Sequence, residues 1–190
     1  MKKVLFIHGF ASSGKSAKAK DLQQILNCDV IAPDLSHQPL KDIQTLEQIL
    51  SSEPIEMIVG SSLGGFYALI LALRHKKKIL LINPSLTPEI TLQDQLGWVE
   101  SFKGGGFDWT VQQLTEIKQL AEEIQPNLLQ QHDDVFNQCL VLLAQKDERL
   151  DSNIALSWLE KAKIIVDMQQ DHRFEDIQQH RAAIQDFYVL

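Results

Sequence analysis

Short apolar runs recur along this chain, and each is followed by a stretch with helical spacing. The runs are Val4 to Ile7, Cys28 to Ala32, Ile55 to Val59, Ile79 to Ile82, Leu140 to Ala144 and Ile164 to Asp167. Most show little alternation of apolar and polar residues. A strand of that kind buries both of its faces, which requires helices on both sides of a parallel sheet. The intervening segments supply those helices. Ala19, Leu22, Ile25 and Leu26 share one face over Ser16 to Leu26, and Ile43, Leu46, Ile49 and Leu50 share one over Leu40 to Leu50. Leu63 to Leu73 is a very apolar helix, and helical patterns over Ile154 to Lys161 and Glu175 to Tyr188 accompany the last two strands. The pattern predicts an α/β fold: a doubly wound, mainly parallel sheet of about six strands with helices on both faces.

One stretch breaks the rhythm. From Pro84 to Asn137 no clear strand is visible, and a helical pattern runs from Thr110 to Ile124 through Val111, Leu114, Ile117 and Ala121. Before it, three glycines (Gly104 to Gly106) sit among Trp98, Phe102, Phe107 and Trp109. This reads as a mobile loop with apolar anchors, inside an insertion (84–137) that covers one end of the sheet. With 190 residues in all, residues 1–190 are expected to form one domain. A formal charge of −7 leaves no electrostatic footprint for nucleic acid or an anionic membrane. No apolar stretch reaches transmembrane length, and His8 and Gly9 interrupt the first run too early for a signal peptide. Cys28 and Cys139 form neither a metal spacing nor a disulfide framework. A cytoplasmic setting is expected.

Two loops carry competing chemistries. Gly60-Ser61-Ser62-Leu63-Gly64 is a G-x-S-x-G between a strand and a helix. That context suits a nucleophile on a sharp turn, where small neighbours let strand and helix approach and the serine hydroxyl projects above the sheet. Gly9-Phe10-Ala11-Ser12-Ser13-Gly14-Lys15-Ser16 equally satisfies G-x-x-x-x-G-K-[ST], a phosphate-cradling loop, in its own strand-to-helix context. There Lys15 would reach phosphates and Ser16 would hold magnesium. The phosphate reading needs an acidic residue closing a second apolar strand. Asp34 is a poor fit because Pro33 interrupts that strand's end, and Asp147 lies in a loop with several charges. A serine hydrolase needs an acid and then a histidine after later strands. Asp147 follows Leu140 to Ala144, and His172 follows Ile164 to Asp167. Both are C-terminal strand ends, where parallel sheets place their ligands. The hydrolase reading also explains His8-Gly9-Phe10, which ends the first strand where an oxyanion loop belongs.

Together, His8-Gly9-Phe10, Gly60-Ser61-Ser62-Leu63-Gly64-Gly65, Asn83-Pro84, Asp147-Glu148 and Asp171-His172-Arg173-Phe174 resemble the α/β-hydrolase superfamily, and within it the small bacterial YqiA-like esterases. The resemblance spans nearly the whole chain. It implies hydrolysis of carboxylic esters, with short acyl esters as the expected substrates, no cofactor and no metal. Ser62 would be the nucleophile, His172 the base and Asp147 the acid that orients it. The backbone N–H groups of Phe10 and Leu63 would form the oxyanion hole. Gln169-Gln170-Asp171 before the histidine and Arg173 after it depart from the superfamily pattern, as does the insertion.

Each residue has a competing structural reading. Asp151 could serve as the acid, or cap the helix before Ile154. Glu89 or Asp94 would compete if the acid followed an earlier strand. Asp171 adjoins His172, but sequence neighbours seldom meet face to face. His8 is expected to shape its loop. His37, His75, His132 and His180 are expected to be solvated or structural, without partners. Trp98, Phe102, Phe107 and Trp109 are either the lining of an acyl pocket or the insertion's own core. Three function classes stand: a serine esterase acting on a small-molecule ester, a nucleotide enzyme using Gly9 to Ser16, and a hydrolase-fold protein that binds a ligand without turnover.

Overall fold

In the computed structural model, which describes residues 2–130 and 134–189, six strands form one parallel sheet. They are β1 (Lys3–Ile7), β2 (Asp29–Ile31), β3 (Ile55–Ser61), β4 (Lys78–Ile82), β7 (Cys139–Lys146) and β8 (Lys163–Asp171), in the order β2-β1-β3-β4-β7-β8. Every pairing within this sheet is parallel. The order reverses between β1 and β3, so their C-terminal ends flank the crevice where such sheets bind ligands.

The two faces separate cleanly because successive side chains on a strand point opposite ways. Leu5, Ile7, Ile58, Leu81 and Val141 pack on one side with α2 (Pro39–Ser52), α3 (Leu63–His75), α5 (Val111–Gln130) and α6 (Ser152–Trp158). Val4, Phe6, Met57, Val59, Leu80 and Leu142 pack on the other with α1 (Ala17–Leu26) and α7 (Arg181–Val189). Helix α3 lies in the middle of the first layer and is buried at every position from Leu63 to Ala72. This explains why its sequence is apolar nearly all round. Element limits shift by a few residues from the sequence reading. The larger changes are at α5, which runs on to Gln130, and at the C-terminus, where a 3₁₀ turn (Ile177–His180) precedes α7.

The insertion contains more order than its sequence suggests. After the short α4 (Pro88–Thr91), β5 (Gly97–Glu100) and β6 (Gly106–Trp109) form an antiparallel hairpin instead of a loop. Gly104 and Gly105 have φ of +92° and +72°, which lets the chain reverse there. Each strand has only four residues, too few for a periodic signal. Among the described residues, no helix is long and apolar enough to cross a membrane.

Candidate active site

The turn from β3 into α3 places Ser62 at φ 54°, ψ −121°. This is an unfavourable backbone for a residue with a Cβ, of the kind concentrated at functional sites. It is held from β4. The Ser62 N–H donates to Ile82 O (3.0 Å), and Ser62 O accepts from Ser85 N (3.1 Å) and Gly65 N (2.8 Å). Ser62 occupies the N-cap position of α3, yet its hydroxyl makes no capping bond. The Leu63 N–H opens the helix, where amides have no intrahelical acceptor. Close approach forces the glycine at 64: a Cβ there would lie 2.1 Å from Ile7 O. The first turn of α3 therefore sits directly on the end of β1. The loop after β1 is adjacent to the serine, since a Cβ on Gly9 would lie 3.1 Å from that of Ser62.

His8 shapes this loop, as its place in the sequence suggests. Its Nδ1 lies 2.8 Å from Gly9 O, so Nδ1 carries the proton, and its Nε2 accepts from Leu35 N at 3.0 Å. Burial lowers its pKa, more than the bond to Gly9 raises it. The neutral ring is what both bonds require.

At the C-terminal ends of β7 and β8, Asp147 and His172 meet. His172 Nδ1 is 2.9 Å and 3.0 Å from the two carboxylate oxygens. The acid is nearly enclosed (4% side-chain exposure) and the histidine is 14% exposed. Burial pushes the Asp147 carboxyl up, but hydrogen bonds from His172 and from the Arg149 and Leu150 amides outweigh it and hold its pKa below the ordinary value. An ionised Asp147 can only accept, so Nδ1 carries the proton and Nε2 is left to exchange one. The His172 N–H donates to Glu148 Oε2 at 3.2 Å. The Ser62 hydroxyl is not among the hydrogen-bond partners of His172 here. Such contacts are often long until substrate binds.

Two of the rival acids are employed elsewhere. Asp151 caps α6 through Asn153 N, and Asp171 accepts from Arg173 N. Among the described residues, the acid bonded to the His172 ring is Asp147, not Glu89 or Asp94. In the phosphate-loop segment, the Gly14 N–H donates to Asp34 Oδ1 (2.8 Å), Ser16 caps α1, and Lys15 is exposed. One cradle amide and the proposed magnesium ligand are thus committed to the fold.

The four insertion aromatics divide. Trp109 is buried and meets Phe10 edge-on at 5.0 Å, while Phe107 stacks on His37 at 3.8 Å and also meets Phe10. Trp98 and Phe102 are exposed. The hairpin grips the first loop: Phe102 N and Ser101 Oγ both donate to Ala11 O, and Lys103 pairs with Asp34. The expectation that the remaining histidines lack partners is corrected for three of them. His180 Nε2 bonds Asp167 Oδ2 at 2.8 Å, His75 lies 3.7 Å from Glu47, and His37 stacks on Phe107. These pairings join residues distant in sequence or across a bulge, so spacing gave no sign of them. His132 lies outside the described residues.

Burial, with His8 and Lys103 nearby, depresses the His37 pKa from 6.5 to about 4. The unfolded chain therefore binds more protons than the folded one between those values, and stability must fall as pH drops through that window. Thermal melts from pH 7 to pH 4 should show this decline. His37→Asn, which tolerates the φ of +60° and cannot titrate there, should make the decline shallower. An unchanged slope would assign the decline to other groups.

The comparisons with known proteins agree with this architecture. The sequence profile of the uncharacterised protein family UPF0227 matches residues 3–189. A UPF0227 protein of Serratia proteamaculans is 27% identical over 197 residues, covering 98% of this chain and 99% of its own. One from Vibrio parahaemolyticus is also 27% identical, covering 97% and 98%. Among solved structures, Est1E from Butyrivibrio proteoclasticus with bound ferulic acid superposes with a TM-score of 0.71 at 14% identity, covering 100% of this chain and 88% of its own. Mouse alpha/beta hydrolase domain-containing protein 10 gives 0.66 at 18% identity, covering 97% and 88%. The chain belongs to the UPF0227 family and has the α/β-hydrolase fold.

Proposed function

We propose that this protein is a serine hydrolase of small carboxylic esters, with Ser62 as nucleophile, His172 as base and Asp147 as its orienting acid. The observation that carries the reading is the Ser62 backbone. A serine held at φ 54° on a strand-to-helix turn, with its hydroxyl making no capping bond, has the strained backbone expected of a nucleophile elbow, which supports this reading. The bonded Asp147–His172 pair at the same end of the sheet supplies the base.

The chemistry follows from these groups. Ser62 Oγ attacks the ester carbonyl carbon while His172 Nε2 takes the hydroxyl proton. The carbonyl oxygen becomes an oxyanion facing the N–H groups of Leu63 and Phe10. The tetrahedral species collapses and breaks the C–O bond to the alcohol, which receives the proton from His172. Water then attacks the acyl-serine and gives a proton to His172. Ser62 leaves with that proton and the carboxylic acid is released. Asp147 holds the proton on Nδ1 throughout and stabilises the imidazolium.

Phe10, Phe107 and the exposed Phe102 offer apolar surface beside the first loop, which suits short acyl or aryl groups. Est1E, the fold neighbour solved with ferulic acid, is an analogy at the level of the fold. A series of p-nitrophenyl esters of increasing acyl length tests the reading. Cleavage is expected to be fastest for the short members, to rise with pH as one group deprotonates, and to vanish in Ser62→Ala. Hydrolysis surviving in Ser62→Ala, or none at any chain length, would refute it.

A further inference from the structure

Asn83 follows β4 and takes no part in the chemistry above, yet its hydrogen bonds reach β7 and the loop that carries His172. It is 3% exposed and adopts φ +41°, a left-handed backbone that asparagine tolerates better than most residues. Its side-chain amide makes three bonds. Nδ2 donates to Asp171 O and to His172 O, each at 3.0 Å. Oδ1 accepts from Ala144 N at 2.7 Å. Its backbone N–H donates to Leu142 O at 2.9 Å.

These partners fix the orientation of the amide. Turning it over would place NH₂ against the Ala144 N–H and an oxygen against two carbonyls. No other side chain of this size offers two donors on one atom and an acceptor beside it. Aspartate keeps the acceptor and loses both donors. Glutamine is one methylene too long.

The partners also carry the site. His172 O belongs to the residue read as the base. Ala144 lies on β7, three residues before the acid Asp147. The residues on either side of Asn83-Pro84 are Ile82 and Ser85, which hold the two backbone groups of Ser62. The His172 loop needs such a tie because it leaves the edge strand β8. The β7–β8 register is irregular just before it, between Ala144 and Lys146. Asn83 reaches from β4 across β7 to that loop.

We infer that Asn83 is a positioning residue, setting the His172 loop in register with the Ser62 turn. The inference rests on the serine-hydrolase reading for its effect on rate, but its structural part is independent of that reading. Asn83→Gly keeps the backbone conformation and removes all three side-chain bonds. It should lower kcat for p-nitrophenyl acetate by 10- to 100-fold, with KM changed less than 3-fold. Asn83→Asp should lose activity relative to wild type as pH rises, because its carboxylate then faces two carbonyl oxygens. Acid should partly restore it, because protonation returns one donor. Ile184→Val, a core change in α7, should lower Tm without changing kcat or this pH ratio.

The imidazole NMR resonances of His172 report its position whether or not the protein turns over ester. They should shift in Asn83→Gly and stay in place in Ile184→Val. If wild type is inactive and the shift is seen, the hydrolase reading fails and the positioning role stands. If His172 resonances are unmoved, or kcat in Asn83→Gly stays within 2-fold of an active wild type, the positioning role is overturned.

Discussion

Replacing Asp147 by Asn is expected to lower kcat for ester cleavage by about four orders of magnitude, by analogy with serine-protease triads. The substitution is nearly isosteric. Its carbonyl oxygen can still accept from the Arg149 and Leu150 amides, so the turn after β7 survives. What changes is the atom facing His172 Nδ1. An NH₂ there forces the imidazole proton onto Nε2, the nitrogen that must accept the Ser62 proton. KM should change little, because the loss is felt in the transition state. The same carboxylate links activity to stability. Its pKa is held below the ordinary value in the fold, so its contribution is complete above the unfolded pKa and is lost as pH falls through the folded one. Asp147→Asn should therefore flatten the acid limb of the stability profile while Tm near neutrality falls. An Asp147→Asn enzyme with more than a tenth of wild-type kcat would remove Asp147 from the mechanism.

A large effect on stability, coupled to the site, is expected at Gly64. A methyl group there would stand 2.1 Å from Ile7 O and 2.6 Å from His8 O, both backbone atoms. Neither can rotate away, so α3 must lift from the end of β1. Overpacking a rigid contact of this kind costs about 3 kcal/mol or more. The same displacement separates the Ser62 turn from the first loop, whose Gly9 lies against it. Gly64→Ala should thus lose soluble yield and cooperative melting together with activity. A contrasting change at Gly97, where a Cβ meets nothing within 4 Å, is limited to the strain of its φ of +114°. If Gly64→Ala melts within a few degrees of wild type, the close packing of α3 on β1 is wrong.

Much of this arrangement is legible in the residues, for reasons that differ from place to place. The parallel sheet is announced by apolar runs such as Ile79 to Ile82, because burial on both faces removes alternation. Ser62 is marked by its small neighbours, since glycine is the residue that permits the approach seen at 64. Asp147 and His172 are marked by their places after strands. The hairpin at 97–109 is hidden because four-residue strands stabilised by packing on Phe10 and Ala11 carry no period of their own. Pairs such as His180–Asp167 and contacts such as Asn83–His172 are set by tertiary geometry across a bulged edge strand. Sequence spacing cannot encode them. In the sequence Asn83 stands out only as part of the Asn83-Pro84 pair among the family-like segments, and its side-chain role emerges when β7 and β8 are laid beside it.

Ser62 is proposed to be a nucleophile activated by its surroundings. Incubation of the intact chain with a fluorophosphonate probe, followed by peptide mass spectrometry, tests it most directly. Wild type should carry one stoichiometric adduct on Ser62, with none on the adjacent Ser61. Ser62→Ala should carry none, and Asp147→Asn should label far more slowly. An adduct on another residue, or a folded wild type that stays unlabelled, would contradict the account.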